Sequence, residues 1–333
     1  VVLKALCYSL LKTNHSVGAH VRDAACYVCW AFARAYKPSD LVDYVAEVSQ
    51  QLVITAVFDR EVNVRRAAAA AFQECVGRLG TFPHGIDIIQ KADYFSLSVR
   101  ANAFTVVAPQ IAEYNEYCHP MIEHLLEHKM GHWDSDIRVL TSKTLALLVA
   151  RSPLYGVQVV LPKLLATCFA PMSDERHGSI LALAEIVLQL SQMNHPGAWP
   201  LSAELLEEIR QVMPKLETER LYRGKGGEKI RMAVCRLVHC MADAALPMPE
   251  FSLYARAIAR APPQKVRTLG RYQDSLEGHV MQLLPKVQEA AVQAFRAFAG
   301  QYYTAWAEDL HGPLLQRLRE GLAHDKTPNV RRG

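Results

Sequence analysis

"DREVNVRRAAAAAF", residues 59–72, sets a valine and two arginines at the mouth of five alanines and a phenylalanine. Carried on to residue 79, the apolar positions Val64, Ala68, Ala71, Phe72, Cys75 and Leu79 fall at spacings of three and four. That is the stripe of a helix buried on one face, and its small alanines let a neighbouring helix approach closely. Asp59 stands just ahead, where a carboxylate caps free amides and favours the positive end of the helix dipole. The same spelling returns in "DKTPNVRRG", residues 325–333, with Val330, Arg331 and Arg332 falling on Val64, Arg65 and Arg66. A repeat is therefore expected.

Working outward, similar stretches begin at Val21, Val64, Val99, Ile137, Ile230, Val287 and Val330. Each is a β-branched residue followed by a polar one and then an apolar helix. The intervals run from 35 to 57 residues, apart from one of 93 that holds two units. "DERHGSILALAEIVLQL", from Asp174, fills that gap as a variant in which His177 and Gly178 replace the usual pair. Most anchors are preceded by another apolar helix, such as "LVDYVAEVSQQLVITAVF" or "AELLEEIRQVMPKL". Strand signals are nearly absent. The expected fold is all-α: a HEAT/armadillo-like α-solenoid of stacked antiparallel helix pairs. The approximate units are 1–36, 37–80, 81–115, 116–152, 153–193, 194–246, 247–304 and a truncated 305–333. Stacking places the same turn of every unit in a row, so the arginines are expected to reach acids of adjacent units. Pro109 is expected to kink its helix.

Composition narrows the function classes. Half of the 333 residues are hydrophobic, which suits helices buried on more than one side. A net charge of +4 is too mild to imply a nucleic-acid partner. The charge-free stretch from Ile186 to Ala203 contains Asn194, His195, Pro196 and Pro200, so no membrane span is expected there. Eight scattered cysteines fit a reduced, cytosolic protein better than a disulfide framework. The chain opens inside an apolar run and stops at "VRRG", where the earlier copy is starting its helix, and is expected to be a segment of a longer protein.

Three further blocks carry a resemblance. "GRLGTFPHGIDIIQKADYF" (77–95), "DERHGSILALAE" (174–185) and "ERLYRGKGGEKIR" (219–231), preceded by "AHVRDAACYVCWAFARAY", resemble the central solenoid of the tubulin folding cofactor D family. The likeness runs from about Val1 to Tyr303 and is weaker around Pro262. It implies a cytosolic HEAT-type scaffold, with cytoskeletal or centrosomal association. Such a scaffold holds β-tubulin, receives a small Arf-like GTPase, and works with cofactors C and E in assembling and disassembling the tubulin heterodimer.

Chemistry of its own is not expected, and no cofactor is assigned. "RGKGGEK" (223–229) has glycines and a lysine but neither phosphate-loop spacing nor a strand ahead of it, so it reads as an inter-helix loop. His124, His128 and His132 stand one turn apart on a helix and could gather a metal, although a solvated helix face lined with histidines is the plainer reading. Cys26 and Cys29, beside Trp30 and Phe32, read as core. Partner contact is instead expected from loops: Phe82, His84, Tyr94 and Phe95 in the long turn, which could equally be a staple across two units. Arg176 and His177 in the variant unit, and Tyr222 and Arg223 in the glycine-rich block, are further candidates. Arg256, Arg260, Lys265, Arg267 and Arg271 lie between Glu250 and Asp274 with no acid among them, as either a solvated loop or a steering patch for an acidic surface. Other HEAT scaffolds (a transport receptor, a phosphatase scaffold) and a nucleotide-binding enzyme using residues 223–229 are the alternatives.

Overall fold

The computed structural model describes residues 1–12, 15–193, 201–222, 226–248 and 285–302. Arg223, the basic cluster from Arg256 to Arg271, and the terminal stretch 305–333 lie outside the described residues. The chain forms two compact units, Val1–Gly156 and Val157–Gly333.

In the first unit α1 (Val2–Leu6) leads into a short antiparallel hairpin, β1 (Leu10–Lys12) and β2 (His15–Val17), with Leu10 opposite Val17. Helix pairs follow. α2 (Ala19–Ala35) packs on α4 (Val62–Leu79), which also packs on α3 (Val45–Phe58). α5 (Gly85–Lys91) precedes α6 (residues 100–111), and α7 (Asn115–His124, continued by a π-turn over Leu125–Lys129) precedes α8 (Ser135–Arg151). In the second unit α9 (Leu161–Thr167) packs on α10 (Ser173–Gln192) and on α11 (Ala203–Thr218). α10 and α13 (Pro285–Tyr302) both pack on α12 (Gly227–Asp243). The fold class is the expected α-solenoid of stacked helix pairs.

The buried face of α4 is Val64, Arg65, Ala68, Ala71, Phe72, Cys75 and Leu79, the stripe legible in the sequence with one arginine added. α10 is buried on several sides, from Ile180 through Leu190. Each such Leu, Ile, Val or Phe contributes about 1.5–3 kcal/mol on leaving water. Residues Pro38–Phe58 are apolar enough in composition to cross a membrane, but Leu52–Phe58 are buried against neighbouring helices, as in a solenoid core. Pro109 and Pro162 each stand two residues past a π-turn, over Ala103–Val107 and Gly156–Val160. A proline cannot donate to the carbonyl four residues back, and the widened turn accommodates the clash of its ring with that carbonyl.

The arginines follow a rule that the sequence only half disclosed. Arg22, Arg65, Arg138 and Arg176 are each the fourth residue of their helix. Arg176 therefore holds the place of the arginine that follows each anchor, and the pair in the variant unit is Glu175–Arg176 rather than His177–Gly178. Arg65 is 2% exposed. It donates to the carbonyls of Asp59 and Arg60 at 3.0 Å, in the turn of its own pair. It also donates to Leu97 at 2.9 Å and Ser98 at 3.0 Å, in the turn of the next. Arg138 donates to the carbonyls of His132 and Trp133. Arg176 donates to Ala170 and Pro171 behind it and to Leu221 at 2.8 Å ahead. Arg65 and Arg176 reach backbone oxygens rather than the acids expected, because the planar guanidinium offers five donors and the turns present unpaired carbonyls. Arg22 does reach an acid of the next pair, Asp59, at 2.6 and 3.1 Å, and Arg60 and Arg100 meet Asp134 at 3.1 and 3.5 Å.

Candidate functional site

The turn from α4 to α6 holds four of the expected contact residues and separates them. Phe82 is 7% exposed, with its ring edge-on to Phe72 at 5.3 Å, so it is the staple of the two readings. Its neighbour Gly85 permits close packing, since a Cβ there would meet Val76 at 2.5 Å. His84, the residue ahead of α5, stacks on Tyr114 at 4.1 Å and lies 3.5 Å from the Glu116 carboxylate, leaving its side chain 40% exposed.

Tyr94 and Phe95 are 58% and 79% exposed. Their backbone is held from within: the Asp93 carboxylate accepts from the Ser96 amide at 2.6 Å, and Asn102 Nδ2 donates to the Ser96 carbonyl at 2.7 Å. The Ser96 bond also holds the Asp93 carboxyl below its usual range. The two rings meet edge to face at 5.5 Å, and the Arg66 guanidinium lies 3.6 Å from the Tyr94 ring centre. That distance is well inside the reach of a cation–π contact. Arg66 and Tyr94 also border a cavity of about 210 Å³ whose floor includes Ala69, Ile88 and Ile89. Among the described residues Arg66 Nε has no hydrogen-bond partner although it is buried. A rigid turn thus presents two aromatic rings beside an apolar hollow, with the Arg66 guanidinium behind them. That combination suits protein contact, in which aromatics and arginine carry most of the binding energy. Arg66 was missed in the sequence because it sits beside Arg65, and only its phase on the helix tells the two apart.

The candidates of the second unit are turned inward. Arg176 and His177 are each 7% exposed, and the guanidinium is engaged by the carbonyls described above. Tyr222 is also 7% exposed and lies under Arg231 at 5.1 Å, so this junction joins two helix pairs and leaves little face for a partner. The end of the glycine-rich block serves the same junction. Gly226 takes a left-handed φ of 90° ahead of α12, and a Cβ on Gly227 would fall 2.0 Å from the Tyr222 carbonyl.

Reactive groups are sheltered. All eight cysteines are free thiols. Burial pushes Cys26, Cys75, Cys235 and Cys240 up to about 12 and Cys29 to about 11, far from the thiolate a nucleophile needs. Among the described residues no group of histidine, cysteine and carboxylate side chains has the arrangement of a metal site.

Helix pairs stacked on small residues, with turns tied by buried arginines, define an armadillo/HEAT-type scaffold. Residues 1–86 match the family of tubulin-specific chaperone D-like ARM repeats. The chain is similar to "Tubulin-specific chaperone D" of Dictyostelium discoideum, 36% identical over 255 residues that cover 76% of this chain and 17% of that protein. It is similar also to "Tubulin-folding cofactor D" of Schizosaccharomyces pombe, 28% identical over 182 residues covering 55% and 16%. The chain belongs to the tubulin-specific chaperone D family and spans about a sixth of the length of these relatives.

Proposed function

We propose that this chain is a non-catalytic scaffold segment of a tubulin chaperone, working in the cytoplasm. It would hold β-tubulin and a small Arf-like GTPase while cofactors C and E join in assembling and disassembling the heterodimer. The names of the relatives support the tubulin part of this reading. The observation that carries the contact itself is the Tyr94–Phe95 tip with Arg66 behind it, large rings on a turn whose own hydrogen bonds are already met. Any effect on GTP hydrolysis would come from the arrangement in which partners are held. A scaffold for an unrelated partner would use the same geometry, so the test is direct. Purified tubulin passed over the immobilised chain is expected to be retained. Replacing both Tyr94 and Phe95 by Ala should weaken retention at least about tenfold, as loss of a central aromatic pair does, with melting unchanged. No retention by the parent chain would reject the tubulin reading, and equal retention by the variant would reject the tip.

A further inference from the structure

A second, polar cavity of about 190 Å³ lies in the first unit, where the hairpin, α2, the start of α4 and α7 meet. Arg22, Asp59, Arg60 and Glu61 line one side of it, and His124, His128, Lys129 and His132 another. Leu6, Ile54 and Phe58 supply an apolar wall.

The charges can be accounted for one by one. Arg22 is paired with Asp59 at 2.6 Å and donates also to the Tyr8 carbonyl at 2.8 Å. Asp59 further accepts from the Glu61 amide at 2.8 Å. Arg60 is paired with Glu61 at 2.6 Å and with Asp134 at 3.1 Å, the latter also neutralised by Arg100 at 3.5 Å, and faces the Trp133 ring. Lys129 remains. It closes the π-turn of α7, and among the described residues no carboxylate lies within salt-bridge reach of its ammonium.

His124 and His132 do not share the charge. His124 stacks on Phe58 at 6.1 Å and touches His128 at 4.9 Å. Burial, with Lys129 adding to it, holds His124 well below the usual histidine range and His132 at about 4. The Asp134 amide donates to His132 Nδ1 at 3.0 Å, so the neutral ring carries its proton on Nε2 and is a donor there. The i→i+5 bonding of the π-turn, with the Met130 amide on the Leu125 carbonyl at 2.9 Å, places the lysine among these rings. Such turns recur at functional sites.

We propose that this cavity receives one glutamate side chain of an acidic peptide segment from a binding partner, with its carboxylate on Lys129. A single negative charge matches the single unbalanced positive one. A dianionic phosphate would leave a negative excess beside Asp59 and Glu61. The apolar wall of Leu6, Ile54 and Phe58 suits the two methylenes of glutamate, which a small free carboxylate lacks. The histidines, with His124 and His132 neutral and a lysine beside them, form the wall of an anion pocket rather than a metal centre.

The cavity is distinct from the Tyr94 tip, and its test needs no tubulin. A fluorescein-labelled hexaglutamate peptide is titrated into the 333-residue chain and followed by anisotropy. Binding is expected to fall at least about tenfold in Lys129→Met, the penalty of losing one member of a desolvated charge pair. It should hold in Lys143→Met, an exposed lysine on α8. Equal losses in both variants would mean diffuse charge attraction and overturn the proposal, as would equal binding by Lys129→Met and the parent. Because that variant could be disturbed in its fold, amine-reactive labelling of Lys129 in the parent chain is also read by mass spectrometry. The hexaglutamate peptide should slow labelling of Lys129 and leave Lys143 unaffected. No protection, or equal protection by acetate or inorganic phosphate at matched concentration, would overturn it.

Discussion

Phe82 and Phe95 stand at the two ends of one turn and meet opposite fates, one 7% exposed and the other 79%. Phe82 enters the seam beneath α5 and lies against Phe72. Phe95 follows α5 on a turn whose backbone is closed by Asp93, Ser96 and Asn102, so no unmet hydrogen bond draws the chain inward. The same residue type therefore does two jobs. At the entrance of the turn it joins neighbouring helices. At the exit it is offered to solvent on a rigid base, at low entropic cost to a partner that covers it.

The largest expected effect separates the two directly. Phe82→Ala should lower stability by about 3–5 kcal/mol, the range for deleting a buried ring, whereas Phe95→Ala should stay within about 0.5 kcal/mol. Urea midpoints of the two variants measured side by side decide this, and similar losses would erase the distinction between staple and tip.

Arg65 and Arg66 sharpen the same contrast one residue apart. Arg65→Met leaves the carbonyls of Asp59, Arg60, Leu97 and Ser98 without their donor and should cost about 3 kcal/mol. Arg66→Met removes a contact with a half-exposed ring and should cost under about 1 kcal/mol. Equal shifts in the urea midpoint would mean that the phase of these residues on α4 does not set their roles. Somewhat smaller is Ala71→Leu, at about 1–3 kcal/mol, because Ala71 is 1% exposed in the seam of α4 and cannot grow without displacing a neighbour. An unchanged midpoint there would show a looser seam than the alanine run implies.

These cases also show what could be read before any coordinates. The stripe from Val64 to Leu79 was legible because a one-sided helix writes its burial into spacings of three and four. The helix pairs were legible because each anchor repeats the spelling of the last. The destination of Arg65 and Arg176 was not, since both are held by backbone carbonyls, which every residue carries and no letter reveals. Arg176 was placed one step off its role for a related reason. The small and polar His177 and Gly178 drew the eye, while the register is fixed by the helix start at Ser173. Among the contact candidates, aromaticity marked the right turn but could not tell Phe82 from Phe95. Burial there depends on Phe72 lying against one ring, while the other stands on a turn closed by its own hydrogen bonds. Tyr222 and Arg176 stood as partner candidates and are the joint between two helix pairs, because the turn that contains Leu221 folds back onto the guanidinium.

The central claim is that the exit of this turn, and not its entrance, meets the partner. Radical footprinting of the chain with and without tubulin, read by mass spectrometry at Tyr94, Phe95 and Phe82, tests it most directly. Tyr94 and Phe95 should be modified readily in the free chain and protected several-fold in the complex, with Phe82 slow in both. Tubulin binding that leaves Tyr94 and Phe95 as reactive as before would contradict it.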